Sequence, residues 1–416
     1  MKQNVLLVIG FTWPEPASTA AGNRMLQLLV FFKVEGYRIV FASTASETEL
    51  SLNLDALQIE SKSIALNDSG FDTLLKKINP DVILYDRFLT EEQFGWRVTE
   101  NAPQAIKILD TEDLHSLRKI REQSHKKGIP FSVEDWLTHD ITKRETASIL
   151  RCDLSLMVST FEMQLLTQTL KLDENLFLHL PFLLDELTEE AQQNWPSFIE
   201  RANFVCIGNG KHAPNVDAVL WLYQEIWPLI RKAVPDAQVS VYGAYLPQQV
   251  TQLHKPEIGF LIKGWAQDAN EVMASARINL APLRFGAGIK GKLTTAMQNG
   301  TPSVTTPIGV EGMQEGLPWS GAIAQKAQDF AQEAVQLYSD EKGWYEAQQN
   351  GVVLINELYN AQNLKERLSK KIKHLHLNLK DCRAQNFIGS VLQHQTMQST
   401  KYLSKWIEEK NKKNEC

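Results

Sequence analysis

The sequence of 416 residues predicts two tandem Rossmann-like domains of the α/β class, each a doubly wound parallel sheet, followed by a helical C-terminal extension. Three observations support this fold class. The chain is longer than one hydrophobic core usually accommodates. Continuous apolar runs alternate with helical patterns in both halves, as expected for strands buried on both faces of a parallel sheet. The last part of the chain shows helical spacing alone.

The first half begins with the apolar strand VLLVIG at residues 5–10, and a loop of small residues follows, PASTAAGNR at 16–24. A helical pattern at 25–36 ends in a glycine, and a second strand is predicted at 37–44. Strand, loop, helix and strand in this order form one right-handed crossover unit. Further strands are predicted at 81–86, 105–113 and 153–160.

The second half repeats this plan. FVCIGNG at 204–210 is predicted as a strand that ends in a glycine turn, followed by an amphipathic helix at 216–234 and a strand at 238–243. Further strands are predicted at 259–265, 277–283 and 302–307. The prolines and polar residues near 180–198 indicate a boundary. We therefore predict a first domain at 1–185, a linker at 186–200, a second domain at 201–345 and a helical region at 346–416.

Composition is typical of a soluble globular protein, with 43% hydrophobic and 22% charged residues. The four cysteines stand far apart, which favours a reducing, cytoplasmic setting. No stretch approaches the roughly 20 apolar residues that a membrane span needs. The pair HLH at 374–376 lies in a basic helical run and fits a solvated surface better than a metal site. No metal site is predicted.

Charge is unevenly distributed along the chain. The net charge is −6, yet the part from Lys365 onward has 12 Lys or Arg against 5 Asp or Glu residues, a local +7. The favoured interpretation is a solvated helix that docks on the protein's own acidic surface. The alternative is attraction to anionic lipid or a phosphorylated partner. The acidic remainder of the chain argues against nucleic acid as a partner.

The stretch RFGAGIKGKLTTAMQNG at 284–300 has the composition of an anion-binding loop. It follows a predicted strand, so it lies at the carboxyl end of a sheet, where ligands bind. Glycines allow close backbone approach, and a helix predicted at about 292–299 directs its positive N-terminus to the same place. Lys290 and Lys292 add charge suited to a nucleotide-sugar diphosphate. The alternative is a tight turn with two solvated lysines. The spacing excludes a P-loop, and a dinucleotide loop would follow the first strand of a domain.

PLRFGAGIKGKLTTAMQNGTPSVTTPIGVEGM at 282–313 resembles the nucleotide-sugar site of GT-B glycosyltransferases, specifically the bacterial group 1 enzymes of family 4. Residues 204–243 resemble the opening of the donor domain in that family. AAGNRMLQLLVFFKVEGYRIVFAST and DTEDLHSLRKIRE are similar to its acceptor domain. The resemblance covers most of residues 1–345. It implies a deep cleft between the domains and a last helix that returns to the N-terminal domain.

The resemblance assigns roles to particular residues. Those expected at the donor diphosphate are Arg284, Gly286, Gly288, Lys290 and Lys292. Those expected at the nucleotide or sugar are Gly208, Lys211, Trp265, Thr295, Gly309, Glu311 and Gly312. The acceptor-side loop is Gly22, Asn23 and Arg24. Ordinary packing for Trp265 and a surface carboxylate for Glu311 are the alternatives.

Two departures from the family pattern stand out. Many members have two glutamates eight positions apart around the glycine loop, and here those positions are Ala287 and Thr295. A threonine hydroxyl bonds a ribose hydroxyl more weakly than a carboxylate does. Members also often have an arginine just after the glycine of IGNGK, where this chain has Asn209. The phosphate would then depend more on the lysines of the glycine loop.

Asp110, Asp113 and His115 are the catalytic candidates because they follow a predicted strand end and could orient an acceptor hydroxyl. Helix capping by Asp113 and a partly exposed His115 are the alternative. The basic run from Arg118 to Lys127 is interpreted as a solvated helix, with contact to an anionic lipid as the second possibility.

The predicted function is transfer of a sugar from a nucleotide-sugar donor, as co-substrate, to a glycan or lipid-linked acceptor in bacterial surface polysaccharide synthesis. The family implies retention, no obligatory metal and no cofactor, and inversion stays open. The predicted location is the cytoplasm, with peripheral contact at the inner face of the membrane left open. A catalytically decayed nucleotide-sugar-binding protein, or an epimerase or phosphorylase on the same fold, is the rival.

Overall fold

The computed structural model describes residues 3–414, apart from the side chains of residues 395–397 and 413–414. This part of the chain forms two parallel sheets covered by helices, which confirms the predicted fold class. The first sheet has seven strands and the second has six. The strands are β1 Val5–Gly10, β2 Arg38–Ser43, β3 Glu60–Ser63, β4 Val82–Asp86, β5 Ile106–Asp110, β6 Leu154–Met157, β7 Phe177–His179, β8 Ala202–Ile207, β9 Val239–Tyr242, β10 Phe260–Gly264, β11 Ala276–Ala281, β12 Ser303–Thr305 and β13 Gly321–Ile323.

The α-helices of the described chain alternate with these strands and then continue alone to its end. They are α1 Ala20–Val34, α2 Gly70–Ile78, α3 Arg87–Asn101, α4 His115–Lys127, α5 Val133–Thr138, α6 Asp140–Arg151, α7 Thr160–Gln164, α8 Glu189–Gln193, α9 Ala213–Trp221, α10 Trp227–Ala233, α11 Gln248–Thr251, α12 Ala269–Ser275, α13 Gly291–Gln298, α14 Pro307–Val310, α15 Ala327–Ser339, α16 Glu341–Leu358, α17 Ala361–Gln385 and α18 Phe387–Asn414.

The structure has three strands that the sequence analysis did not predict. β3 reads ESKS, and its polar residues lie at the edge of the first sheet. β7 and β13 have three residues each and also lie at sheet edges. An edge strand has one neighbour and is partly solvated, so it needs neither length nor a continuous apolar run. Such strands leave a weak signal in the sequence.

Two helices differ from the predicted bounds for local reasons. α1 begins at Ala20, five residues before the predicted start, because Thr19 caps it and accepts a hydrogen bond from the backbone N–H of Gly22 at 2.9 Å. The helix predicted at 216–234 is divided into α9 and α10 by a π-helical segment at Leu222–Ile226. Pro228 lies in the first turn of α10, where its missing N–H interrupts the regular bonding.

Strand order places one switch point in each sheet. The first sheet runs β3-β2-β1-β4-β5-β6-β7, so the chain reverses direction across the sheet between β1 and β4. The second sheet runs β10-β9-β8-β11-β12-β13, with its reversal between β8 and β11. In open parallel sheets the crevice at the carboxyl ends of these two central strands is where ligands bind. Ligands are therefore expected to bind at the loops after β1, β4, β8 and β11.

Apolar side chains form separate cores on the faces of each sheet. The core on one face of the first sheet also contains Leu364, Leu368 and Ile372 of α17, because the chain returns to this domain after Tyr359. Asn360 bridges to Leu184 at this crossing. α18 then packs against α3 and α6 of the same domain. Both final helices thus belong structurally to the first domain.

Candidate active site between the two domains

The glycine loop follows β11 and leads directly into α13. Gly288 has a φ of +64°, a left-handed conformation that glycine adopts without steric cost. Lys290 precedes α13, and its Nζ turns back to donate to the carbonyl of Gly288 at 2.6 Å. Burial lowers the pKa of Lys290 to about 8, against the opposing charge of Glu311. A cation and a helix N-terminus therefore meet at the carboxyl end of β11.

Lys292 lies in the first turn of α13 and reaches the end of β8. Its Nζ donates to Oδ1 of Asn215 at 2.9 Å. A Cβ atom added to Gly208 would lie 2.8 Å from the same Nζ, so glycine at this position leaves room for the ammonium group. Thr295 follows three residues later on the same helical face and is half-buried. The ammonium group of Lys292 therefore connects the loop after β11 with the loop after β8.

Arg24 and Asp110 bond to each other in the interior of the first domain. Arg24 Nε donates to Asp110 Oδ1 at 2.8 Å, and Nη1 donates to the carbonyl of Leu180 at 2.7 Å. Burial raises the pKa of Asp110, and the charge of Arg24 opposes that effect. Gly22 packs against the backbone of Glu15, while Asn23 is exposed. The ion pair holds α1 to the end of β5.

Asp113 and His115 lie at the turn after β5, beside the glycine loop. Asp113 Oδ2 accepts from Arg118 at 2.7 Å, and Oδ1 lies 3.4 Å from His115 Nε2. Burial lowers the pKa of His115 to about 3, so the imidazole is neutral at pH 7. Burial opposes ionisation of Asp113, yet the charge of Arg118 outweighs this effect and the pKa of Asp113 is lowered. A Cβ added to Gly288 would lie 2.9 Å from Asp113 Cβ.

Glu162 of α7 joins this turn to the glycine loop. One carboxylate oxygen accepts from the backbone N–H of Gly288 at 2.7 Å and from that of Leu114 at 3.2 Å. The side chain is fully buried, and burial together with the charge of Asp113 raises its pKa to about 8. Glu162 thus links the two domains.

Arg121 forms a second link between the domains. It donates to both carboxylate oxygens of Glu311 at 2.6 and 2.9 Å, and to the carbonyl of Gly286 at 2.9 Å. Its side chain is buried in this interface, so the hypothesis that the basic run of α4 is wholly solvated or meets lipid is wrong at this residue. Glu311, assigned to the donor pocket from the sequence, bonds Arg121 here. Gly312 packs directly on Ser159 of the first domain.

The other second-domain residues assigned to donor binding lie around the same edge of the sheet. Arg284 donates to Asp217 at 2.9 and 2.6 Å. The Trp265 indole N–H donates to the carbonyl of Ala17 at 3.3 Å. Lys211 Nζ lies 3.5 Å from the ring centroid of Tyr245. Gly309 packs on the Thr305 side chain within its own domain. Trp265 therefore borders the cleft, whereas Arg284 has a carboxylate partner on α9.

Sequence reasoning missed Glu162, His212 and Asp217. His212 directly precedes α9, and its Nε2 lies 3.3 Å from Arg118 Nη1 across the domains. Burial lowers the pKa of His212 to about 4. These residues carry no motif, although Glu162 follows the end of β6 by a few residues, the placement that singled out Asp113. Among the described residues, no group of three or more His, Cys, Asp or Glu side chains is arranged to hold a metal ion.

Solved structures identify the fold. Sucrose-phosphate synthase of Thermosynechococcus elongatus superposes with a TM-score of 0.66 at 14% identity, over 90% of this chain and 99% of that one. The Anabaena protein HepE, solved in complex with UDP-glucose, superposes with a TM-score of 0.65 at 12% identity, over 89% and 100% of the two chains. Two facing Rossmann-like domains with a cleft at their switch points define the GT-B class of proteins.

Sequence comparison matches the second domain to a family model. Residues 201–340, the second domain, match the family model described as "Glycosyl transferases group 1". A Klebsiella pneumoniae protein described as an uncharacterized 44.6 kDa protein in the cps region is 22% identical over 208 residues, which are 45% of this chain and 54% of that protein. The chain thus spans about half the length of this relative. The resemblance to group 1 glycosyltransferases of the GT-B fold is confirmed.

Proposed function

We propose that this protein is a family 4 glycosyltransferase that transfers a sugar from a nucleotide-sugar donor to a glycan or lipid-linked saccharide, with retention of configuration. The observation that carries the proposal is the position of Lys290 and Lys292 at the N-terminus of α13, beside the second switch point. The same residues lie within the part of the chain that matches the group 1 family model.

The donor diphosphate is proposed to bind at the glycine loop and Lys292. Backbone N–H groups, the positive end of α13 and the lysine charges favour an anion with about two negative charges. Asn209 replaces the arginine common in the family, so Lys292 bears more of this task. Thr295 is proposed to bond the ribose and Trp265 to contact the base. The UDP-glucose complex of the Anabaena neighbour supports a nucleotide sugar as the ligand class.

The chain's charges account for the proposed catalysis. Breaking the bond between the anomeric carbon and phosphate places negative charge on the leaving diphosphate. Fixed cations at that point stabilise the transition state more than the ground state. Neutral His115 is proposed to accept a hydrogen bond from a sugar hydroxyl, with Asp113 orienting its ring. We propose no cofactor and no obligatory metal.

Bacterial surface polysaccharide synthesis is proposed as the setting. Support comes from the Klebsiella relative in a cps region. None of the helices in the described part of the chain is long and apolar enough to cross a bilayer. We propose a cytoplasmic protein with peripheral membrane contact through which it meets a lipid-linked or growing glycan.

The test is a donor screen with the full chain. Nucleotide sugars are incubated with and without lipid-linked acceptors, and released nucleoside diphosphate is measured. Acceptor-dependent release with one donor supports transfer, and absence of binding to every donor would refute it. Binding without turnover would indicate a catalytically decayed nucleotide-sugar-binding protein. This rival is specific to the chain because Ala287 and Thr295 stand where many family members have glutamates. Release of a sugar phosphate would indicate a phosphorylase, and an altered sugar on an intact donor would indicate an epimerase.

A further inference from the structure

The outer face of α18 carries exposed apolar and aromatic side chains. Tyr402 is 62% exposed and Trp406 is 61% exposed, and Ile388, Val391 and Leu403 are exposed as well. At 100° per residue, Ile388, Val391, Tyr402 and Trp406 fall within about 60° of one another around the helix. They extend over about 27 Å of its length. These exposed side chains, called the apolar strip below, form two groups, Ile388 with Val391 and Tyr402 with Leu403 and Trp406, and the polar residues Gln398 and Ser399 lie between the groups. Exposed apolar groups on one face of a surface helix indicate an interaction site.

The opposite face of α18 is fixed to the first domain. Gln393 Nε2 donates to the carbonyl of Arg151 at 2.8 Å near the start of the helix. Towards its end, Arg97 lies 3.4 Å from both Ser404 Oγ and Glu408 Oε2. These contacts set the rotation of the helix, so the apolar strip faces away from the domain. Lys401 pairs with Glu100 of α3, a contact of the kind expected for a basic extension that docks on the protein's own acidic groups. The outer face needs a separate explanation.

Lysines flank the strip. Lys405 lies on one side of Tyr402 and Lys410 on the other, and Lys410 Nζ is 5.3 Å from the Trp406 ring centroid. The nearby acidic groups are engaged, because Glu408 turns inward to Arg97 and Glu409 pairs with Lys412 at 2.9 Å. From Lys365 onward the net charge is +7. Exposed tryptophan and tyrosine between lysines is the composition of helices that lie in a lipid headgroup layer.

A second protein copy fits this surface less well. The centre of a protein interface is depleted in charged residues, lysine above all, and here lysines border the aromatic rings closely. Lysine side chains can extend along an apolar surface and leave their ammonium groups among lipid phosphates. Anionic headgroups also provide the charge that complements the basic end of the chain.

We infer that the outer face of α18 docks the first domain on an anionic lipid bilayer, with the helix parallel to the membrane and Tyr402, Leu403 and Trp406 in the headgroup layer. The inference deepens the proposed function, on which it rests for the membrane-bound acceptor. Because α18 contacts α3 and α6 and contributes no residue to the cleft described above, lipid binding and donor binding are separable.

The experiment is cosedimentation of the full chain with vesicles of phosphatidylcholine, with or without phosphatidylglycerol, and without donor or acceptor. Wild type is expected to bind the anionic vesicles at least about tenfold more tightly than the neutral ones. Replacing Tyr402, Leu403 and Trp406 together with serine should remove at least about tenfold of that affinity. Lys405→Glu with Lys410→Glu should abolish the preference for phosphatidylglycerol.

The matched control is Val34→Ser with Ile199→Ser, two residues that are even more exposed and lie outside α18. This control should bind vesicles as wild type does, and circular dichroism checks that every variant is folded. Failure of wild type to bind anionic vesicles, or unchanged binding by the triple variant, would overturn the inference. The inference would also be overturned if wild type formed a dimer and bound no vesicles, and the triple variant were monomeric. Since no donor is present, none of these outcomes bears on glycosyl transfer.

Discussion

Gly288→Ala tests whether catalysis depends on the contact between the glycine loop and the turn after β5. The added Cβ would lie 2.9 Å from Asp113 Cβ and 3.2 Å from the carbonyl oxygen of Glu112. Carbon atoms prefer about 3.5–4.0 Å, and overpacking of this kind costs about 1–3 kcal/mol. The φ of +64° adds about 1–2 kcal/mol for any residue with a Cβ.

Gly316→Ala is the matched control. Its φ is +85°, yet a Cβ there meets nothing within 4 Å. Both variants carry the conformational cost of a Cβ atom at positive φ, and only Gly288→Ala adds a steric clash with the first domain. The difference of about 1–3 kcal/mol corresponds to a further loss of about 5- to 150-fold in kcat/KM.

The assay is nucleoside diphosphate release with the donor found by the screen, beside small-angle scattering of each variant. Gly288→Ala should lower kcat/KM and enlarge the radius of gyration by opening the cleft, whereas Gly316→Ala should do neither. Equal activity and equal dimensions in the two variants would refute the reasoning.

Three other perturbations follow from buried charges. Lys292→Ala should weaken nucleotide-sugar binding at least about tenfold by calorimetry, through loss of a charge-assisted contact to phosphate; unchanged affinity would contradict the phosphate role. Glu162 binds its proton more tightly in the folded protein, at a pKa of about 8 against an ordinary 4.5, so folding takes up a proton and stability falls as pH rises between these values. Glu162→Gln should flatten that slope in urea unfolding, and an unchanged slope would count against it. Arg151→Met should lower the free energy of unfolding by about 3–5 kcal/mol, because it leaves the Glu91 carboxylate buried without its partner. Adding Glu91→Leu should restore most of that stability, and a loss below about 1 kcal/mol in the single variant would show that the ion pair is dispensable.

The comparison of sequence with structure is clearest at the glycine loop. Apolar runs predicted the central strands of both sheets, and the loop was expected after a strand of the second domain, where β11 ends. These signals are local, because burial on both faces demands continuous apolar residues and a tight turn demands glycine. The sequence does not predict the edge strands β3, β7 and β13, because their residues are few or polar.

The partners of the charged residues were beyond sequence reasoning. Arg24 and Asp110 were assigned separately to the acceptor loop and to catalysis, yet they bond each other. Glu162 was not considered, although it meets the backbone of Gly288. A carboxylate at the end of a strand looks the same in sequence whether it faces a ligand or a buried arginine.

The sequence by itself determined two parallel-sheet domains, a glycine loop with two lysines at a strand end, and a basic helical extension. Only the tertiary structure decided which charges pair, within the first domain and across the cleft, and which face of α18 is exposed. The reason is distance along the chain. Asp110 stands 86 residues from Arg24, and Glu311 stands 190 residues from Arg121. Helical or strand periodicity relates neighbours within a few positions, so pairs that folding brings together over such separations leave no pattern in the sequence.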